Sequence, residues 1–263
     1  MIAFGPMFDL SLIIPSFKAA PILEQSLPPL LEYLQARGIR AEILVVDDGS
    51  ADDGHTKRAV ERSGCIYFAN PCNQGKGAAV KRGMLAAKGA VCIFTDADIP
   101  FGYASIEQFY NHLRQGAWDM VIGDRSLRDS SYSSRLSPQR ALASYLFRLT
   151  IGHSVSSSFP DTQCGLKGFS RPVAQALFSL IETQGFAFDV EVLYLAKHAQ
   201  LRVQRLPVQL QNQGASSVRI ARHAPQMLRE LARIRMRTLP TVVIGPSDSS
   251  LNSSYARVLQ SAK

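Results

Sequence analysis

Nearly continuous apolar runs alternate with amphipathic stretches along the first half of the chain. Leu10–Pro15, Ala41–Val46 and Cys65–Ala69 read as strands, and Ala90–Phe94 as a buried one. Between them, Ile22–Arg37 carries apolar residues at helical spacing, Asp52–Ser63 reads as a polar helix and Gly77–Ala87 as a third. Ala104–Arg114 adds a helix and Met120–Ile122 a fifth strand. Regular β/α alternation predicts an α/β fold, a mostly parallel sheet flanked by helices. After Gly123 the pattern loosens. It predicts helices at Pro138–Ile151, Pro172–Ile181, Phe188–Lys197 and Pro225–Arg237, a Ser-rich turn at Ser154–Ser158 and a strand at Leu201–Leu206. One domain over residues 8–240 is expected, with halves 8–125 and 126–240. Residues 241–263, rich in Ser, are expected to be a disordered tail. No internal repeat is found.

Ligands of parallel sheets bind at the carboxyl ends of the strands. Asp47, Asp48, Asp96, Asp98 and the Gly75–Gly77 loop all fall there. In extended backbone, residues two apart point to the same side, so Asp96 and Asp98 are expected to converge. Paired hard oxygens suit Mg²⁺ or Mn²⁺, which take the rest of their shell from water and substrate phosphates. An Asp-rich loop that caps the next helix gives the same pattern. Asp47 and Asp48 offer acceptors for a nucleobase or ribose, and equally suit a cap and turn. Asn73-Gln74-Gly75-Lys76-Gly77 opens a helix, where free N–H groups and the helix dipole favour phosphate and Lys76 adds a charge, and equally suits an ordinary flexible turn. The first strand is not followed by G-x-G-x-x-G, which disfavours a dinucleotide site.

Charge changes the picture in the last quarter. The net charge is +8. From residue 200 onward ten Lys/Arg face only Glu230 and Asp248, so the body is neutral and the end is basic. Membrane headgroups and nucleic acid both suit that end by charge, as does a solvated helix face. Met227, Leu228, Leu231 and Ile234 form an apolar stripe, and Arg229, Arg233 and Arg237 a basic row, so an interfacial helix is expected; a stripe packed on the catalytic domain with solvated arginines gives the same pattern. The tail lacks interleaved aromatics, so no nucleic acid is expected. Four cysteines without metal or disulfide spacing suit reduced thiols in the cytoplasm. No basic-then-apolar leader and no apolar run of about 18 residues are seen, so neither a signal peptide nor a membrane span is expected. The sequence sets no oligomeric state.

Taken in order, Ile14-Pro15-Ser16-Phe17, Val45–Ser50, Asn73–Gly77 and Asp96-Ala97-Asp98 resemble the motifs of family-two glycosyltransferases with the GT-A fold. Asp161-Thr162-Gln163-Cys164-Gly165-Leu166-Lys167 and Phe186–Val192 are similar to the dolichyl-phosphate glucosyltransferases and their bacterial polyprenyl-phosphate relatives. The segment Gly214–Val218 with Arg233-Ile234-Arg235 extends the resemblance to about residues 10–237. It implies inverting transfer of a hexose from a nucleotide-sugar donor to a lipid-phosphate acceptor. Residue by residue, it implies that Pro15, Phe17, Asp47, Asp48, Gly75, Lys76, Asp96 and Asp98 bind the nucleotide-sugar. Asp96 and Asp98 are then the metal ligands, and Arg125, Asp161, Gln163, Lys167 and Arg219 face the acceptor. Asp98, Asp189 and Arg125 are the expected catalytic residues, with Asp189 the first candidate for a base if the acceptor is a hydroxyl. Asp189 and Glu191 also suit simple capping of a helix start.

Two departures bear on this reading. Lys18-Ala19 stand where the family often has Asn-Glu, which leaves the choice of base open. Pro100 stands where the mannosyl branch often has Gln, which favours the glucosyl branch. The expected activity is transfer of glucose from UDP-glucose to a polyprenyl phosphate by a peripheral protein at the cytoplasmic membrane face. Transfer to a glycan or other hydroxyl acceptor is the alternative within enzymes. A non-catalytic nucleotide-sugar-binding or nucleic-acid-binding protein is the alternative outside them.

Overall fold

The computed structural model describes residues 7–131, 158–211, 229–234, 236–237, 243–244 and 257–258. The helix expected at Pro138–Ile151, most of the Ser154–Ser158 turn, Gly214–Val218, Arg219, Met227, Leu228 and most of 241–263 lie outside them. The described elements are β1 (Leu10–Ser16), α1 (Ala20–Ala36), β2 (Ala41–Asp47), α2 (His55–Arg62), β3 (Ile66–Ala69), α3 (Lys76–Ala86), β4 (Val91–Phe94), α4 (Gly102–Arg114) and β5 (Met120–Asp124). Then come β6 (Lys167–Ser170), α5 (Arg171–Leu180), α6 (Phe188–His198), β7 (Val203–Pro207), and the short strands β8 (Val243–Ile244) and β9 (Arg257–Val258), which pair with each other.

Seven strands form one sheet in the order β3-β2-β1-β4-β6-β5-β7. All pairings are parallel except those of β6, which runs antiparallel between β4 and β5. The chain builds β1, β2 and β3 toward one edge and then crosses to the other side of β1 with β4. The carboxyl ends of β1 and β4 therefore border the crevice where the winding reverses, the usual ligand position in such sheets.

Alternation along the strands sorts the core into two layers. Leu12, Ile14, Ile43 and Val45 face a cluster with Leu23, Leu27, Leu30 and Leu34 of α1 and Ile106 and Phe109 of α4. Ile13, Leu44 and Phe94 face the opposite cluster, with Val80 and Met84 of α3, Phe178 of α5 and Phe188 of α6. Small residues bring α3 close to the sheet: a Cβ on Gly83 would lie 2.5 Å from a methyl of Ile13. The apolar runs become strands because both faces of the sheet are covered.

The strand β6 has no counterpart among the sequence-predicted elements. Its four residues, Lys-Gly-Phe-Ser, begin with a charge and contain a glycine, so neither propensity nor alternation marks them. Its direction matters for the site. An antiparallel strand between β4 and β5 begins at the end where they finish, and Lys167 pairs in register with Phe94 and Ile122. The 161–166 segment that leads into it is thereby delivered to the carboxyl ends of the parallel strands.

Candidate active site

The site is built around the end of β4. Extended backbone stops at Phe94, and Asp96–Ile99 forms a turn closed by the Ile99 N–H donating to the Asp96 carbonyl at 3.0 Å. The expected convergence of Asp96 and Asp98 by strand geometry is therefore corrected: a turn, with Ile99 at φ 45°, sets their approach. Lys76, the first residue of α3, places its Nζ 2.5 Å from Asp96 Oδ1. Gly165 packs on the other oxygen, Asp96 Oδ2, so that a side chain at 165 would displace the Asp96 carboxylate. Burial works against the Lys76 charge, but Asp96 and then Asp189 outweigh it and hold the ammonium protonated. Asp98 is pushed up from the usual carboxylate range by burial and by the Asp96 charge. At the crevice, Ser16 Oγ and Thr95 Oγ1 are buried at the ends of β1 and β4 with no hydrogen-bond partner among the described residues. Orphaned hydroxyls and crowded carboxylates are features that a polar ligand and a cation relieve. The donor set of Asp96 and Asp98 fits a hard divalent ion completed by substrate oxygens and water. Three or more clustered His, Cys, Asp or Glu suited to a metal do not occur among the described residues.

Asp47 and Asp48 close β2, beside Pro15, which pairs in register with Val46. Both carboxylates are buried and already occupied. Asp47 accepts from the Ser50 hydroxyl and from Tyr67 Oη at 2.9 Å. Asp48 accepts from Asn70 Nδ2 at 2.8 Å and from the backbone N–H groups of Gln74 at 3.0 Å and Gly75 at 2.7 Å. The amide of Gly75, expected to be open to a phosphate, is thus spent on Asp48. The glycines serve packing instead. A Cβ at Gly75, which has φ +105°, would lie 2.5 Å from the Gln184 carbonyl. One at Gly77 would lie 2.5 Å from the Thr183 carbonyl and 2.7 Å from Phe188 Cβ. The loop is pressed against the 183–188 segment, and Lys76 projects from it toward Asp96. Phe17 is partly exposed beside this end of the sheet, and Lys18 donates its backbone N–H to Ser50 Oγ at 2.7 Å. An open cleft of about 450 Å³ lies alongside, lined by Lys18, Pro21, Glu24, Ser50, Asp52 and His55.

Further ion pairs come from the segments that follow β5. Arg125, just past β5, forms a two-pronged pair with Asp161: Nε to Oδ2 and Nη2 to Oδ1, both at 2.7 Å. Its backbone N–H donates to the same carboxylate at 2.9 Å. Burial works against the Asp161 charge, but Arg125 outweighs it and holds the carboxylate below its usual range. Gln163 is exposed on the same segment, whereas Thr162 and Cys164 are buried. Lys167, expected to meet an acceptor, is corrected by its surroundings. It has no exposed surface, and its Nζ donates to Asp189 Oδ1 at 2.5 Å and to the Cys164 carbonyl at 2.8 Å. Asp189 is likewise buried and paired, so the structure does not present it as an open base. Asp189 and Glu191, two apart on α6, diverge: Glu191 turns to the backbone of Glu182 and Thr183.

The basic helix is described at 229–234 and 236. Leu231 and Ile234 are buried in the core layer with α5 and α6, so part of the apolar stripe packs on the domain rather than lying free. Arg237 is committed as well, donating to the Leu180 carbonyl at 2.7 Å and pairing with Glu191 at 2.8 Å. Arg229 and Arg233 are exposed. No helix of the described residues is long and apolar enough to cross a membrane. Sequence reasoning finds no sign of Tyr67 or Asn70, and assigns Ser16, Thr95, Gly165 and Arg237 no part in this site. Their common signal is position: most sit at a strand end or in a loop beside one, where side chains point toward the crevice or brace it.

The sequence profile of Glycosyl transferase family 2 matches residues 11–178. The chain is 29% identical to the dolichyl-phosphate beta-glucosyltransferase of Dictyostelium discoideum, over 88% of this chain and 75% of that protein. It is 30% identical to the enzyme of that name from Drosophila melanogaster, over 78% and 67%. Among solved structures, mannosyl-3-phosphoglycerate synthase from Rubrobacter xylanophilus is similar with a TM-score of 0.64 at 18% identity, covering 87% of this chain and 72% of that one. Glucosyl-3-phosphoglycerate synthase from M. tuberculosis aligns over 97% of this chain and 90% of its own, with a TM-score of 0.62 at 18% identity. The same synthase, crystallised with Mn²⁺, UDP-glucose and glycerol 3-phosphate, aligns with a TM-score of 0.57 at 19% identity, over 88% and 79%. These likenesses establish the GT-A arrangement of the sheet.

Proposed function

We propose that this chain, which belongs to glycosyl transferase family 2, moves glucose from UDP-glucose to a polyprenyl phosphate. The observation that carries the reading is the Lys76–Asp96–Asp98 cluster at the end of β4, beneath the 161–165 segment. Curated relatives over most of the chain are named for transfer of glucose to dolichyl phosphate, which supports the sugar and the acceptor class. The nucleoside is proposed to lie by the ends of β1 and β2, near Pro15, Phe17 and the Asp47–Ser50 turn. Asp47 and Asp48 shape that wall through their hydrogen bonds. Lys76 is proposed to neutralise the donor diphosphate.

Asp96 and Asp98 are the proposed holders of Mg²⁺ or Mn²⁺, with Asp98 the more direct ligand. When bound, the ion supplies Lewis-acid stabilisation of charge on the departing nucleotide. The protein's own contribution is orientation and exclusion of water. A phosphomonoester has a second pKa of about 6, so the acceptor is already an anion at pH 7 and needs no strong base. That suits a site whose Asp189 is buried on Lys167. Arg125 with Asp161, together with Gln163 and Arg219, is proposed to position the acceptor phosphate.

The acceptor is a membrane lipid, and the exposed Arg229 and Arg233 beside Met236 (78% exposed) form a surface for anionic headgroups. Peripheral attachment at the cytoplasmic face suits the nucleotide-sugar donor and four free thiols. The test is a panel of radiolabelled nucleotide-sugars offered with short-chain polyprenyl phosphate. Label entering the organic phase from UDP-glucose supports the reading, and labelled product from GDP-mannose alone refutes the donor assignment.

A further inference from the structure

The basic C-terminal helix ends on a group that the catalytic reading does not use. Glu191 on α6 is 2% exposed in its side chain, and its carboxylate accepts the backbone N–H groups of Glu182 at 3.1 Å and Thr183 at 2.8 Å. Arg237 closes the arrangement from outside. One guanidinium nitrogen meets Glu191 Oε1 at 2.8 Å and the Leu180 carbonyl at 2.7 Å, and the other pairs with Glu182 at 2.8 Å. A fork of this shape fixes three partners at once, which a point charge does not. Leu231 and Ile234 hold the same helix on the core layer.

The 181–184 segment so gripped is the surface on which the donor loop is seated. Lys81 of α3 donates to the Ile181 carbonyl at 2.6 Å. The Ala78 N–H donates to the Gln184 carbonyl at 3.2 Å. Gly75 and Gly77 lie so close to the carbonyls of Gln184 and Thr183 that no Cβ fits at either position. Lys76 stands between those two glycines and reaches Asp96. A shift of the 181–184 segment by a few tenths of an ångström is therefore passed on to Lys76, because the contact has no slack.

We propose that Arg237 is a positioning residue for the donor site: through Glu191 it fixes the 181–184 segment, and that segment sets Lys76 opposite Asp96. The inference rests on the reading of Lys76 and Asp96 as the donor diphosphate site. It assigns the C-terminal helix a role in donor binding that is separate from any role at a membrane.

Kinetics of the full chain carrying Arg237→Ala test it. The expected result is a KM for UDP-glucose raised about fivefold, with kcat and the KM for polyprenyl phosphate within about twofold of wild type. Arg237→Lys, a point charge that cannot hold the three partners at once, restores the donor KM only in part. Arg202→Ala, which breaks the Arg202–Asp119 pair at the amino ends of β5 and β7, serves as the control for general loosening. It lowers the melting midpoint without moving the donor KM. If Arg237→Ala fails to fold, Arg237→Gln keeps an amide donor on a shorter, neutral side chain and carries the same comparison. An unchanged donor KM in the folded variant, or an equal rise in Arg202→Ala, overturns the inference. Hydrogen exchange of the 75–79 amides and calorimetric affinity for UDP are read on the same proteins. Faster exchange and weaker UDP binding in the Arg237 variant uphold the inference even if no transfer to a lipid is found, so it fails independently of the acceptor assignment.

Discussion

Lys76 Nζ lies 2.5 Å from Asp96 Oδ1, and this pair joins the start of α3 to the end of β4 across the candidate donor site. Lys76 is the shielded partner, its side chain 18% exposed against 39% for Asp96. A shielded cation beside two carboxylates is placed to neutralise an arriving diphosphate. Lys76→Gln keeps a polar N–H on a side chain one atom shorter and removes the charge, so UDP affinity measured by calorimetry should fall about tenfold with the fold retained. Unchanged affinity would remove Lys76 from the donor site.

Asp98 is held above the ordinary carboxylate range by burial and by Asp96. The ionised form is thus disfavoured in the folded protein. This destabilisation is full above the raised folded value, shrinks as pH falls through it, and is absent below the unfolded value of about 3.9. Asp98→Asn should therefore raise the melting midpoint at pH 7 by about 2 °C while removing most turnover. The gain should vanish near pH 3. Calorimetric melts across that range, with a turnover assay alongside, check both halves. A variant that is less stable at pH 7, or that retains full activity, contradicts the account.

Lys167 and Asp189 are a buried pair, and removing one partner leaves an uncompensated charge. Lys167→Met should cost about 3–5 kcal/mol in denaturant unfolding, and Lys167→Met with Asp189→Leu should recover most of that loss. Additive losses would mean that the two do not act as a pair. A stable Lys167→Met protein with weakened acceptor binding would restore the acceptor role expected from sequence.

Arg229 and Arg233 remain exposed while Leu231 and Ile234 are packed away, so attachment to a membrane should be chiefly electrostatic. Each basic group near an anionic surface contributes roughly 1 kcal/mol. Co-sedimentation with phosphatidylserine vesicles should fall in Arg229→Gln/Arg233→Gln and disappear at high salt, with little binding to neutral vesicles. Equal binding to both vesicle types would point to insertion of apolar residues instead.

Much of the fold was legible because buried parallel strands leave apolar runs that helical stretches separate. What escaped was β6, whose Lys167-Gly168-Phe169-Ser170 carries no strand pattern and is held by β4 and β5 on either side. The carboxylates of the site were legible as residues but not as partners. Asp48 reads as a ligand-binding acid, yet its acceptors are spent on Asn70, Gln74 and Gly75, which sequence spacing does not reveal. Gly75 and Gly77 read as a phosphate loop, and the reason for glycine there is contact with residues more than a hundred positions away. Lys167 and Asp189 looked available because burial of a charge becomes visible only once its partner is placed.

The proposal on which the rest depends is that the oxygen attacking the anomeric carbon of glucose belongs to a lipid phosphate. It is tested most directly by offering purified protein UDP-glucose and Mg²⁺ with either a polyprenyl phosphate or the matching unphosphorylated polyprenol, and weighing the lipid products by mass spectrometry. The account predicts one hexose added to the polyprenyl phosphate, none to the polyprenol, and no product once the metal is chelated. Glucose on the polyprenol, or on neither lipid while another acceptor is glucosylated, would contradict it.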